Sequence, residues 1–358
     1  MKNSPNRAFW SGKRVLVTGH TGFKGSWLCL WLQSLNAKVF GLALPPATAP
    51  ALFSVARVGE GMTSFSGDIR DYKTVHSAMQ KAQPEIVIHM AAQPLVRHSY
   101  QEPIETYATN VMGTVHVLEA ARQVGTVQAL VNVTTDKCYE NKEWVWGYRE
   151  DEPMGGHDPY SSSKGCSELI TSAYRRSFYD SAGVALATAR AGNVIGGGDW
   201  AEDRLIPDIL RAFEKKQLVV IRHPQAIRPW QHVLEPLSGY LRLAEKLYKN
   251  GRTYSGPWNF GPDDHDAKSV QWVAEQLIGK WGASVSWGKD PNTNHHEANC
   301  LKLDISKAKS LLGWTPQWSL QNALDNIVSW HKRYTTRADP RTLCIQQIKN
   351  YSDIIKET

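Results

Sequence analysis

The chain has 358 residues, of which 42% are hydrophobic and 21% are charged, and its formal net charge is +7. No stretch approaches the ~20 apolar residues that cross a bilayer, so the composition predicts a soluble globular protein of one large domain or two moderate ones. Lysines and arginines are spread without a basic run, which argues against nucleic acid and favours an anionic small molecule as ligand. The five scattered cysteines and the lack of a secretory signal at the N-terminus predict free thiols in the cytoplasm.

Strands and helices alternate through the first half of the chain. A buried-strand pattern at 13–19 is followed by a predicted helix at 25–37 and a second strand at 38–44. Further short apolar runs lie at 63–71, 85–92, 128–135 and 184–193, with helix-like segments near 71–82 and 103–124. Near-continuous apolar strands between helices predict a parallel sheet with both faces covered.

The character of the chain changes after Gly192, where glycine, proline and irregular segments become frequent. We therefore expect an α/β protein with a Rossmann-type, doubly wound parallel sheet in residues 1–191. A smaller C-terminal α/β substrate-binding lobe is predicted for 192–340, partly interleaved with the first domain. Residues 341–358 are predicted to form a polar helical tail.

A glycine-rich turn joins the first strand to the first long helix. In "TGHTGFKG", Gly19, Gly22 and Gly25 allow a tight turn, close approach of a pyrophosphate and close packing of helix on strand. The anion of a dinucleotide would then lie at the N-terminus of the helix. No Asp or Glu occurs between residues 26 and 59 to bind the adenosine ribose, and no arginines cluster there for a 2′-phosphate. The choice between NAD and NADP is therefore open from these residues alone, and we expect weak, exchangeable binding at the adenosine end.

A second motif, "DPYSSSKG", places Tyr160 and Lys164 one helical turn apart on the same face. An ammonium near a phenol lowers the pKa of the phenol because it favours the phenolate. A phenolate beside a nicotinamide can take the proton of a sugar hydroxyl.

With these motifs the chain resembles the extended short-chain dehydrogenase/reductases, and within them the nucleotide-sugar 4,6-dehydratases. The resemblance covers nearly the whole chain and rests on "TGHTGFKG", "DIRD", "HMAAQ", "NVMGT", "VTTDK", "YSSSK", "ARAGNVIGGGDW", "IRHPQAIRPWQHV", "WNFGP" and "LDISKAKSLLGWTPQWSLQNAL". It implies NAD as cofactor and CDP-glucose as substrate. A dTDP-, UDP- or GDP-hexose, and epimerisation instead of dehydration, remain open alternatives.

The same resemblance gives a role to "TTDK" at the end of the strand that begins near residue 128. It implies that Thr135 hydrogen-bonds the sugar 4-hydroxyl beside Tyr160, that Asp136 protonates the departing 6-hydroxyl, and that the next residue removes the C5 proton. That next residue is commonly Glu in this branch and is Lys137 here. Lys137 must then be neutral to act as a base, and Asp136 must be held protonated. Hydride returns to C6, so the product is a 4-keto-6-deoxy sugar and NAD is unchanged overall.

The remaining expected site residues come from the resemblance as well. Those assigned to the cofactor, besides Tyr160 and Lys164, are Gly19, His20, Gly22, Phe23, Gly25, Asp68, Ile69, Ala91, Ala92 and Gln93. Those assigned to the substrate are Asn110, Asn193, Arg204, Arg228, His296 and Glu297. No metal is expected, and a homodimer or homotetramer is expected to form through residues 103–124 and the helix that carries Tyr160. Alternatives of another class are a redox-sensing or nucleic-acid-binding protein on an inactive version of this fold, or a structural subunit.

Overall fold

The structure is a computed structural model that describes residues 5–282, 285–291 and 298–357. Its strands are β1 (Arg14–Thr18), β2 (Lys38–Ala43), β3 (Thr63–Ser66), β4 (Ile86–His89), β5 (Ala129–Val133), β6 (Ala185–Ala191), β7 (Val194–Ile195), β8 (Val219–Ile221), β9 (Ile227–Pro229), β10 (Gln231–His232), β11 (Gly256–Phe260), β12 (Ala267–Ser269) and β13 (Trp287–Lys289). Its α-helices are α1 (Arg7–Trp10), α2 (Phe23–Ser34), α3 (Leu52–Val55), α4 (Tyr72–Ala82), α5 (Val96–Gln101), α6 (Pro103–Tyr107), α7 (Gly113–Val124), α8 (Pro159–Tyr174), α9 (Asp180–Ala182), α10 (Leu205–Lys215), α11 (Leu234–Asn250), α12 (Val270–Trp281), α13 (Leu320–Thr335) and α14 (Pro340–Glu357). Short 3-10 or π segments lie at Val58–Gly61, Ala108–Met112, Asp136–Cys138, Arg175–Tyr179, Gly251–Tyr254, Asp264–Asp266 and Ala308–Leu312.

The central element is a seven-stranded parallel sheet with the order β11-β6-β5-β4-β1-β2-β3. The chain order reverses between β1 and β4, and in such sheets ligands bind in the crevice outside the carboxyl ends of the strands at that point. All five residues of β5 and all seven of β6 are buried, as expected for strands covered on both faces. The predicted doubly wound Rossmann-type fold is confirmed.

The second half of the chain adds a smaller set of short strands and helices, and it also completes the sheet. Strand β11 pairs in parallel with β6, and α11 packs against β5 and β6. A separate apolar cluster forms around α10, α12 and α13, with Ile209, Leu277 and Leu324 fully buried.

The last helix is more closely integrated than a polar tail. Helix α14 packs against α2, and it buries Leu343, Cys344, Ile348 and Tyr351. These residues recur at helical spacing among polar ones, so one face of the helix joins the core while the other stays exposed.

Two local features set the position of the site. Helix α8 begins at Pro159 because the Asp158 carboxylate caps it, accepting from the Ser161 N–H at 2.9 Å. The predicted helix 103–124 is interrupted by a π segment, Ala108–Met112, which widens the turn around Asn110. Within the described residues, no helix combines the length and the apolarity needed to span a membrane.

Candidate active site

A cavity of about 690 Å³ opens at the carboxyl ends of β1, β4, β5 and β6. It runs from the glycine-rich turn, past the end of β5 and the start of α8, to β8 and the start of α10. Most of the residues predicted for cofactor, catalysis and substrate line it. These are Gly19, Gly22, Phe23, Gly25, Asp68, Ile69, Ala91, Ala92, Gln93, Thr135, Asp136, Lys137, Tyr160, Lys164, Asn193, Arg204 and Arg228.

The glycine-rich turn has the geometry that its sequence predicts. Gly19 has a φ of +74°, and a Cβ placed on it would lie 2.7 Å from the backbone N of Ala91. A Cβ on Gly25 would lie 2.2 Å from the carbonyl O of Gly19, so α2 packs directly on the turn. The turn therefore leaves room for a pyrophosphate at the N-terminus of α2.

His20, in the middle of this turn, does not line the cavity. Its ring is fully buried, Nε2 lies 2.7 Å from Ser64 Oγ, and burial lowers the pKa of the imidazole to about 4. The side chain therefore packs as a neutral ring beneath β2 and β3, and any contact with a cofactor would be made by its backbone.

Asp68 and Ile69 lie at the far end of the cavity from β5. The Asp68 carboxylate pairs with the Arg70 guanidinium at 2.6 Å, and Ile69 packs against Gly113 of α7. Asp71 caps α4 by accepting from Lys73 N–H at 3.0 Å, so Asp68 is not the cap and is available to the cavity.

Asn110, which the family resemblance assigns to the substrate as a residue that supports the site, has its side chain behind the cavity wall. Its Oδ1 accepts from the Gln93 N–H at 2.8 Å, and its Nδ2 donates to the Gln93 carbonyl at 3.0 Å and to Ser163 Oγ at 2.9 Å. It therefore fixes the backbone of Gln93 against α8. The family resemblance was the signal for a role of this Asn, but the sequence did not show which way its side chain points.

The catalytic candidates gather where β5 ends. The hydroxyl of Thr135 donates to Asp136 Oδ1 at 2.9 Å, and its side chain lines the same cavity as the Tyr160 phenol. Asp136 is 2% exposed, and its Oδ2 has no hydrogen-bond partner within the described part of the chain. Burial raises the pKa of Asp136, although Lys137 and the Thr135 hydroxyl oppose this. The predicted protonated form of Asp136 thus has a physical cause.

Burial also dominates the other two titratable groups of the cluster. It lowers the pKa of Lys164 to about 8, against the attraction of Glu168, and Lys164 Nζ lies 3.5 Å from the Val133 carbonyl. The pKa of the Tyr160 phenol is raised by burial, although the polar Thr135 side chain acts in the opposite direction. This direction is opposite to the expected one, because burial disfavours the phenolate more strongly than the polar neighbours stabilise it.

Lys137 is half-buried and lines the same cavity, next to Asp136. On the other side of the carboxyl, Gly192 is needed for space, since a Cβ there would lie 2.8 Å from Asp136 Oδ2. The Asp-Lys pair therefore faces the cavity and not bulk water.

The predicted substrate residues of the second half lie further along the cavity. Arg228 is 6% exposed and donates to the Ile227 carbonyl, and the Arg204 guanidinium pairs with Asp199 at 3.0 Å. Asn193 lies between β6 and β7 at the cavity wall. His296 and Glu297 lie outside the described residues.

Sequence reasoning missed three charged residues of this region. Lys24, in the first turn of α2, lines the cavity and donates to Tyr240 Oη at 3.2 Å. Burial, together with Lys164 and Arg204, lowers the pKa of Lys24 to about 7. Glu168 and Arg190 lie behind Lys164 and are buried. Arg190 stands out in "ALATARA", a strand otherwise made of small and apolar residues, which was a signal for a buried partner.

Chemically, the cluster combines two functions in one water-poor site. Tyr160, Thr135 and Lys164 can receive the proton of a bound hydroxyl. Asp136 and Lys137 provide a proton donor and an amine side by side, as an elimination across two adjacent carbons requires. Among the described residues, no group of three or more His, Cys, Asp and Glu side chains is arranged to hold a metal ion.

Comparison with known proteins gives concordant results. The sequence model of the GDP-mannose 4,6-dehydratase family matches residues 16–327. CDP-glucose 4,6-dehydratase of Salmonella typhimurium is 57% identical over 351 residues, which are 97% of this chain and 98% of that protein. A probable dTDP-glucose 4,6-dehydratase of Sinorhizobium fredii is 27% identical over 89% of this chain and 92% of its own length.

Two solved structures share the fold. The dTDP-glucose 4,6-dehydratase DesIV of Streptomyces venezuelae, solved with NAD and TYD bound, has a TM-score of 0.76 and 23% identity, and the match covers 91% of this chain and 99% of that one. The UDP-glucose 4-epimerase of Stenotrophomonas maltophila, solved with NAD and formylated UDP-arabinopyranose, has a TM-score of 0.79 and 23% identity over 90% and 99% of the two chains.

Proposed function

Since the chain belongs to the GDP-mannose 4,6-dehydratase family, we propose that it catalyses the NAD-dependent dehydration of CDP-glucose to CDP-4-keto-6-deoxyglucose. The observation that carries this proposal is the Asp136–Lys137 pair in the cavity beside Tyr160. Oxidation or epimerisation at C4 alone needs the phenol and the neighbouring lysine, whereas loss of water needs an additional acid and base. The 57% identity to a CDP-glucose 4,6-dehydratase supports both the reaction and the nucleotide.

The residues of the glycine turn fit a dinucleotide. Gly19 and Gly25 leave no space for side chains, and this cradle lies at the N-terminus of α2, where backbone N–H groups face an anion. We assign Gly22, Phe23, Asp68, Ile69, Ala91, Ala92 and Gln93 to the same cofactor, together with the backbone of His20. When bound, the nicotinamide supplies a hydride acceptor at C4, a hydride donor at C6, and a positive charge beside Tyr160.

The chain's own residues then carry the protons. Tyr160 takes the proton of the sugar 4-hydroxyl, with Thr135 holding that hydroxyl and Lys164 stabilising the phenolate. Lys137 removes the proton from C5, which is acidic once C4 is a ketone, and the resulting ammonium returns a proton to C5 when hydride is added at C6. Asp136, whose pKa is raised by burial, is the group that gives a proton to the leaving 6-hydroxyl. Burial of the cluster keeps bulk water away from the intermediate.

We assign the nucleotide diphosphate to the second half of the chain, residues 192–340. Arg228 is the best clamp, because its planar guanidinium can bond two phosphate oxygens and it is held nearly buried at the cavity wall. Arg204 and Asn193 line the same stretch, and Asn110 supports the site through Gln93. His296 and Glu297 are assigned to the nucleotide ribose by family resemblance alone.

We further propose that the protein is a homodimer or homotetramer. Apolar side chains are exposed on the 103–124 segment and on the helical segment from α8 to Tyr179. They are Ile104, Tyr107, Met112, Leu169 and Phe178. Ile104 is 84% exposed, and burying such a surface against a second copy would remove it from water. Light scattering tests this: we expect an oligomeric mass for the wild type and a smaller mass for Leu169→Glu. If Leu169→Glu kept the mass of the wild type, the Leu169 face of α8 would be excluded from the interface. The five free cysteines favour a cytoplasmic location.

The test of function is a panel of CDP-, dTDP-, UDP- and GDP-glucose, each with NAD and with NADP. We expect keto-sugar, measured by its ultraviolet absorbance in base, to form fastest from CDP-glucose with NAD. With deuterium at C4 of the substrate, we expect the label at C6 of the product. Formation of the C4 epimer would indicate an epimerase. If no sugar were turned over and the protein retained RNA in a filter-binding assay, the protein would be a nucleic-acid-binding protein and not an enzyme.

A further inference from the structure

A buried ion pair lies directly behind the catalytic cluster and joins α8 to β6. Glu168 is 5% exposed and Arg190 is 3% exposed. The two groups are bidentate, with Arg190 Nε to Glu168 Oε1 at 2.9 Å and Arg190 Nη2 to Glu168 Oε2 at 2.8 Å. Glu168 also lies on the helix face that carries Lys164, one turn further along α8.

The carboxylate of this pair holds the residue at which the catalytic turn begins. Thr134 donates its hydroxyl to Glu168 Oε1, and its backbone N–H donates to the Ala189 carbonyl at 2.9 Å. Thr135 and Asp136 follow directly. A second threonine, Thr188, donates to Glu168 Oε2 at 2.8 Å, but it lies within β6 and is not part of the turn.

The guanidinium of the pair holds the residue at which the same turn ends. Arg190 Nη1 donates to Tyr139 Oη at 2.7 Å, and the guanidinium lies 4.8 Å from the centroid of the Tyr139 ring. Tyr139 follows the short helical turn Asp136–Cys138. One ion pair therefore contacts both ends of the segment that carries Thr135, Asp136 and Lys137.

We propose that the Glu168–Arg190 pair is a positioning element of the reaction, which clamps the 134–139 turn so that its catalytic side chains keep their places beside Tyr160. Neither residue lines the cavity, so the pair acts through the turn and not on the substrate. This inference rests on the proposed dehydratase function.

The pair also bears on the charge of Lys164. Burial lowers the pKa of Lys164, and the Glu168 carboxylate raises it in opposition. The other titratable groups that face Lys164 from the neighbouring elements are Tyr160, Cys138, His89 and Lys24. Without the negative charge of Glu168, Lys164 would lose its proton at lower pH and could no longer stabilise the phenolate there.

The two threonines provide a matched test, because each donates one hydroxyl to the same carboxylate. We expect Thr134→Val to lower kcat about tenfold or more with little change in KM, since small misplacement of catalytic groups is costly. Thr188→Val should lose about as much thermal stability as Thr134→Val but keep a kcat close to that of the wild type. Equal kcat for Thr134→Val and the wild type, or equal losses for the two variants, would show that the pair is only structural.

Glu168→Gln tests the electrostatic part of the inference. We expect the alkaline limb of its kcat profile to move down by about one pH unit, which is the size expected for removal of a nearby opposite charge. An unmoved limb in a folded variant would contradict this part, and if the variant does not fold because Arg190 is left unpaired, the threonine pair still decides the positioning claim. A wild type without dehydratase activity would instead refute the proposed function on which the inference rests.

Discussion

Thr135→Val should separate the chemistry of this cluster from its folding. The hydroxyl of Thr135 donates a hydrogen bond to Asp136 Oδ1, and in the proposed complex it makes a second hydrogen bond, to the sugar 4-hydroxyl. The side chains of Thr135, Asp136 and Tyr160 are all buried. Each such bond contributes about 1 to 2 kcal/mol. If both are fully expressed in the transition state, their loss amounts to about 2 to 4 kcal/mol, or roughly a thirtyfold to thousandfold fall in kcat/KM.

The assay is keto-sugar formation from CDP-glucose at saturating NAD, with Thr135→Ser as the control. Serine keeps the hydroxyl, so we expect it to retain most of the activity, whereas valine keeps the shape and loses the bonds. Binding of NAD should be similar in all three proteins, because the glycine turn is untouched. If valine and serine variants were equally active, the hydroxyl would not be part of the catalytic cluster and the geometric reasoning would fail.

Three further outcomes follow from the described contacts. Lys137→Met should permit oxidation at C4 but abolish exchange of the C5 proton with deuterated solvent. The control Lys142→Met, at an exposed neighbouring lysine, should exchange the C5 proton at the wild-type rate. Exchange of the C5 proton by Lys137→Met would refute the base assignment. Gly19→Ala should abolish NAD binding measured by calorimetry, because the added Cβ would lie 2.7 Å from the Ala91 backbone. The control Gly12→Ala should bind NAD normally, since Gly12 has a similar φ of +77° but no described atom lies within 4 Å of its Cβ. Burial raises the pKa of Glu235 to about 7, so the contribution of its protonated form to the free energy of unfolding is full below about pH 4.5 and falls by about 3 kcal/mol as the pH rises to 7. Glu235→Gln should remove this pH dependence of the free energy of unfolding, measured in urea titrations. An unchanged pH dependence in the variant would contradict the assignment.

The sheet and the glycine-rich turn could be predicted from the sequence because both depend on local patterns. Apolar strands followed by helices predict a parallel sheet whichever residues pack on it, and the spacing of Gly19, Gly22 and Gly25 between strand and helix is itself the geometric requirement. The pair Tyr160 and Lys164 was accessible for the same reason, since four residues make one helical turn.

What the sequence did not show depends on residues far apart in the chain. Glu168 and Arg190 are 22 residues apart and meet only because α8 packs on β6. The direction of Asn110 depends on a π segment that composition does not predict. The apolar face of α14 was overlooked because Gln346, Gln347, Lys349 and Asn350 interrupt its apolar residues. The helical spacing of the buried residues Leu343, Cys344, Ile348 and Tyr351 was nevertheless readable.

The raised pKa of Asp136 shows how the fold and the chemistry depend on each other. Arg228, and Lys137 whenever it carries a proton, favour the carboxylate, yet burial outweighs these two cations and raises the pKa of Asp136. A carboxylate at position 137 would favour the protonated form by repulsion, but a lysine cannot, so in this chain exclusion of water has to supply that effect. A diphosphate bound at Arg228 would neutralise one of the two cations, and the proton would then be held more firmly in the complex than in the free protein. Binding of the diphosphate therefore contributes to the acid catalysis as well as to affinity.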